Sequence, residues 1–254
     1  MSHGDQVPSR ARIKVWDALL RLFHWLLVIA MAVAFLSAEE ASPLNHWHML
    51  SGWVAAILIA FRVVWGFVGG EHARFSSISK GGGLGHHMTE MLRFKPESAI
   101  GHNPVGWVSA VLLISVSVAT IWSGALIVTS GGEVGEDFHE IIGWSLLALI
   151  VAHVAAVIIM SVLTRENLVR AMVTGSKPTE RHPDEASAKR PSFFAYLIAL
   201  ATLAAAIFGV LKIDPQAFVP RSTEMTEREG NEGQDEDGRD DYEIEMESDG
   251  EHYE

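Results

Sequence analysis

The chain has 254 residues, 49% of them hydrophobic, a formal net charge of −12 and no cysteine. The lack of thiols excludes disulfides, cysteine-held iron–sulfur clusters and haem attached through Cys-x-x-Cys-His, so any haem here is non-covalent and of the b type. The apolar residues come in blocks, and a chain this short cannot bury that many all-apolar helices in a water-soluble core.

Five blocks, Trp16–Ala38, His46–Gly69, Gly106–Thr129, Phe138–Leu163 and Ser192–Leu211, are each long enough to cross about 30 Å of hydrocarbon. Residues 1–15 carry Arg10, Arg12 and Lys14, and Arg21 follows just inside the first block, which is too long for a cleavable signal and lacks its small-residue exit. His24 lies about two helical turns in from the start of that block. The first loop has Glu39 and Glu40 and no base, and Ser42-Pro43 signals the start of the second block. That block carries His46, His48 and Arg62. The second loop holds Arg74, Lys80, Arg93 and Lys95. Its Gly81-Gly82-Gly83-Leu84-Gly85 run lacks the context of a phosphate-binding motif and reads as a flexible turn. His86 and His87, adjacent in sequence, make a poor metal pair. Asn103-Pro104 looks like an N-cap and first-turn proline for the third block. The third loop has Glu133, Glu136 and Asp137 and no base. The fourth block carries His139, Glu140 and His153. Arg165, Arg170, Lys177, Arg181, Lys189 and Arg190 follow, and Pro191-Ser192 opens the last block.

Basic and acidic loops alternate without exception. The expected topology is a multi-pass protein of a bacterial inner membrane, N-terminus cytoplasmic and C-terminal tail periplasmic. The expected division is a cytoplasmic segment 1–15, a four-helix domain 16–178, a cytoplasmic linker 179–191, a fifth transmembrane helix 192–211 and an external tail 212–254. The tail holds 16 acids and 4 bases, which accounts for the whole net charge of −12. It reads as a disordered acidic arm that attracts a basic soluble partner such as a c-type cytochrome, or as a solvated tail with no partner.

The histidines carry the chemistry. His139 and His153 are 14 residues apart, which returns a helix to within about 40° of its start and about 21 Å further along. With alternate spans antiparallel, depth pairs His48 with His139 and His24 with His153. Each pair bridges two helices, as a six-coordinate haem iron requires, and the irons would lie about 20 Å apart. Intramembrane ionisable residues are costly, and four at two matched depths are hard to read as helix contacts alone. A zinc site needs three or four ligands at one depth, and these split into two levels. His46 competes with His48 for the outer position, and His48 is preferred. Arg62, 14 residues after His48, shares its helix face at the depth of the inner pair. A guanidinium there can pair a haem propionate or snorkel to the surface. Arg21, one turn before His24, is a second such residue. Glu140 either orients a neighbour or reaches the outer surface. Gly52 and Gly143, one turn after His48 and His139, clear space for a flat macrocycle or let helices approach. Trp16, Trp47, Trp65 and Trp107 sit at block ends, as interfacial anchors do.

Several motifs resemble the bacterial diheme b-type cytochromes, the prokaryotic cytochrome b-561 group that includes the cytochrome subunit of nickel–iron hydrogenases. They are Trp16-Asp17-x-x-x-Arg21-x-x-His24-Trp25, His48-x-x-x-Gly52, Arg62-x-x-Trp65-Gly66-Phe67, Ala73-Arg74-Phe75, Gly101-His102-Asn103-Pro104-x-Gly106, Phe138-His139-Glu140, His153-x-x-Ala156 and Arg165-Glu166-Asn167-Leu168. The likeness covers residues 12–178. It implies haem ligands at His24, His48, His139 and His153, and a quinone site near the cytoplasmic haem; the fifth span and acidic tail depart from it.

The reading is an all-α integral membrane protein: a four-helix transmembrane diheme bundle, a fifth transmembrane helix and a disordered acidic tail. It would pass electrons between the quinone pool and an external partner, a soluble c-type cytochrome, with membrane lipid its surroundings and nucleic acid excluded. Three alternatives use the same residues: the cytochrome b membrane anchor of an external hydrogenase or dehydrogenase, a stand-alone superoxide oxidase, and a non-redox transporter or assembly protein whose histidines only pack.

Overall fold

The structure, a computed structural model, describes residues 12–39, 44–80, 101, 104–130, 135–181 and 186–219. Ser42, Pro43, the glycine run, His86, His87, Asn103 and most of the acidic tail fall outside them. Five helices are long and apolar enough to span a membrane. They are α1 (Ala18–Leu36), α2 (Asn45–Val68), α3 (Pro104–Ser130), α4 (Glu136–Leu163) and, after a short α5 (Leu168–Thr174), α6 (Phe193–Ile213). Each coincides with an expected block to within a turn.

Local chemistry sets these ends. Asp17 caps α1, its Oδ1 accepting from Leu20 N at 2.8 Å. Ser192 caps α6 through Ala195 N at 3.2 Å, as Pro191-Ser192 predicts. Inside the spans, hydroxyls have no water to bond, so Ser115, Thr120, Ser145, Ser161 and Thr202 each donate to the carbonyl one turn back.

The helix α2 is the hub, packed against α1, α3 and α6, while α3 pairs with α4. The main apolar cluster joins Leu20 and Phe23 of α1, Phe61 and Trp65 of α2, and Ala195 and Ala199 of α6. The fifth span therefore docks on the α1–α2 side. At its far end Asp214 is buried and accepts from the Trp53 indole at 3.0 Å.

A two-stranded antiparallel ribbon underlies one end of the bundle and was not signalled by the hydropathy pattern. β1 (Arg12–Lys14) pairs with β2 (Ser176–Pro178), Ile13 opposite Lys177. Gly175, at φ 76°, makes the turn from α5 into β2, and a Cβ there would stand 2.8 Å from the Trp16 carbonyl. Lys177 is buried and meets the carboxylate of Glu166 at 3.1 Å, both side chains about 5% exposed or less. Burial pushes the Lys177 ammonium below its ordinary value, and Glu166 offsets part of that.

Candidate functional site

The four histidines named from sequence fall into two groups. On the outer level, the ring of His48 on α2 faces that of His139 on α4, centroids 5.9 Å apart and nearly perpendicular. His46 points elsewhere, lining a small hollow with Met49 and Asp214. On the inner level, His24 of α1 and His153 of α4 lie within electrostatic reach of each other.

Three of the four Nδ1 atoms have partners. His48 Nδ1 donates to the Ala34 carbonyl at 2.8 Å, and His139 Nδ1 to the Thr120 carbonyl at 3.1 Å, with the Ser123 hydroxyl at 3.0 Å. His153 Nδ1 shares a hydrogen bond with the Ser109 hydroxyl at 3.2 Å. A proton held on Nδ1 leaves Nε2 with its lone pair free for a metal and fixes the ring plane. The span α3 contributes no histidine, yet it orients both of α4's. Ser109 and Ser123 are 14 residues apart, the spacing of His139 and His153, because antiparallel neighbours share one rise per residue. Sequence reasoning passed over these serines, and the shared spacing was the signal for them.

The glycines bear on a question left open by sequence. A Cβ on Gly52 or Gly143 would meet nothing within 4 Å among the described residues. Both positions therefore have open space where a side chain would stand, one turn from His48 and His139. Gly124 differs: its Cβ would stand 3.0 Å from His139 Cε1, so it makes room for that ring.

At the inner level, Arg62 does not snorkel. It is 6% exposed, its guanidinium lies 5.1 Å from the Phe75 ring centroid, and it is attracted by Asp17. Trp65 is a correction to the sequence reading: it is not an interfacial anchor but fully buried, its indole donating to Asp17 Oδ2 at 3.3 Å. Its place one helical turn past Phe61, stacked on that ring at 5.5 Å, puts it in the core. Trp47, by contrast, is 45% exposed. Glu140 accepts from the Trp144 indole at 3.3 Å on the exposed face of α4. Arg21 donates to the Val173 carbonyl through one terminal nitrogen. Among the described residues, three buried donors have no hydrogen-bond partner: Arg21 Nε, Arg62 Nη1 and Trp107 Nε1. Buried donors left so are costly, and two guanidinium groups and an indole suit carboxylates. Free Nε2 positions, room at Gly52 and Gly143, and waiting donors together fit a flat macrocycle bearing propionates.

The family model of prokaryotic cytochrome b561 matches residues 15–175. The chain belongs to the prokaryotic cytochrome b561 family. Relatives include three proteins named "Probable Ni/Fe-hydrogenase B-type cytochrome subunit" or, in the last case, its hydrogenase 1 counterpart. The Bradyrhizobium diazoefficiens protein is 20% identical over 220 residues, 68% of this chain and 89% of that one. That of Azotobacter vinelandii is 23% identical over 217 residues, 67% and 90%. The Escherichia coli K12 protein is 22% identical over 208 residues, 63% and 88%. No solved structure matches. The chain is thus a multi-pass membrane cytochrome of the b type, and its work is electron transfer.

Proposed function

We propose that this cytochrome holds two b-type haems, one between His48 and His139 and one between His24 and His153. When bound, the haems supply reversible one-electron exchange; ligation by two histidines leaves no open iron position for oxygen or substrate. His48, His139 and His153 present Nε2 because Nδ1 is engaged, and Arg62, Arg21 and Trp107 receive propionates at the inner level. The observation that carries this reading is the placement of His139 and His153 on one transmembrane helix, the first facing His48 of another span and the second within electrostatic reach of His24.

The alternation of basic and acidic loops supports an N-terminus in the cytoplasm of a bacterial inner membrane and an external tail. Residues 16–178 then form the cytochrome domain, 192–211 the added span and 212–254 the external arm. Electrons pass between the quinone pool on the inner side and an external redox partner. The acidic tail favours a basic soluble c-type cytochrome. The names of the relatives favour a second reading, a hydrogenase or dehydrogenase seated on the outer face.

Substitution His153→Ala tests the pairing. It should remove one haem and its spectral component while the outer component stays. Loss of the outer component instead, or of neither, contradicts the assignment.

A further inference from the structure

Where α4 turns into α5, a cleft of about 740 Å³ opens at the bundle's surface. Ile158, Val162, Val169 and Val173 form its apolar walls, and all four are exposed. Arg165 and Arg170 line it as well, both exposed. Glu166 also borders the cleft, but its carboxylate is turned inward onto Lys177. Two positive charges are therefore left uncancelled, with no side-chain partner among the described residues. Arg165 is also the one non-glycine residue at positive φ among the described residues, at 53°. It follows the C-cap Thr164, the place where a helix end favours glycine. An arginine kept in a conformation that glycine would hold without strain points to use of its side chain.

α4 crosses the membrane, so its last turn meets the membrane–water boundary. A ligand suited to apolar walls below two guanidinium groups has an anionic head and a hydrocarbon body. We propose that this cleft binds an anionic phospholipid, its phosphate between Arg165 and Arg170 and its acyl chain along Ile158 and Val162. A neutral quinone would leave both charges without a counterpart.

The test is native mass spectrometry of the full-length haem-loaded protein in detergent, with phosphatidylglycerol or phosphatidylcholine added. Phosphatidylglycerol should bind selectively. Arg165→Gly and Arg170→Gln should each weaken it about fivefold, the worth of one basic residue at an anionic surface. Arg165→Gly relieves the backbone strain, so haem content and lipid-free thermal stability should match or exceed those of the parent. Equal binding of the two lipids, or unchanged affinity in both variants, would overturn the proposal. So would competition by glycerol 3-phosphate as effective as the lipid, which would mark a soluble-phosphate site, or selective uptake of a neutral quinone in place of the lipid.

Discussion

Gly143→Leu separates a glycine kept for a macrocycle from one kept for helix packing. Gly143 lies one turn after His139, and a Cβ built there meets nothing within 4 Å among the described residues. Leucine would put four carbons into that space, beside rings whose centroids are 5.9 Å apart. In a helix interior glycine costs about 1 kcal/mol relative to alanine, and leucine is close to alanine. The helix itself should thus gain about 1 kcal/mol, and the new Cβ meets no described protein atom within 4 Å. The expected outcome is membrane insertion and yield at the parental level with haem content lowered from two to one per chain. Pyridine haemochrome absorbance against protein concentration gives the count, and low-spin ferric signals in electron paramagnetic resonance identify the haem that remains. Gly124→Ala is the companion: its Cβ would press on His139 Cε1 at 3.0 Å, so the outer signal should shift. A Gly143→Leu protein that keeps both haems would refute the reasoning. So would poor insertion of the variant, which would show a packing role.

Lys177→Met removes the ammonium that meets the buried Glu166 carboxylate at 3.1 Å, which should cost about 3–5 kcal/mol. Adding Glu166→Gln should recover most of it, read as the thermal unfolding midpoint in detergent; a double variant no better than the single would contradict the pair's role. Deleting Thr223–Glu254 should slow reduction of a basic c-type cytochrome at low salt and leave the rate at high salt little changed. An unchanged low-salt rate would rule out steering by the tail.

The spans and the histidine pairs were legible in the sequence because both depend on short-range regularities. An apolar block of fixed length and a 14-residue return to one helix face need no tertiary knowledge. Trp65 was misread because its position at a block end looks interfacial; the residue that pulls it inward, Asp17, is far away in sequence and is joined to it only by α1–α2 packing. The ribbon was missed because Arg12–Lys14 and Ser176–Pro178 are three residues each, too short to show alternation, and their charges spoke only of topology. Lys177 belonged to that same count of loop charges and Glu166 only to a motif, though the two are buried on each other. Trp107 was read as an anchor, and its unpartnered indole emerges only once the helices are assembled. Ser109 and Ser123 resemble ordinary small residues of a packed span until α4 is laid beside α3.

Haem stoichiometry of the detergent-purified protein, made with ample haem supply, tests the central claim most directly. The account predicts two b-type haems per chain by pyridine haemochromogen, both low-spin. A single haem would show that one histidine pair holds none, and a protein without haem would contradict the account altogether.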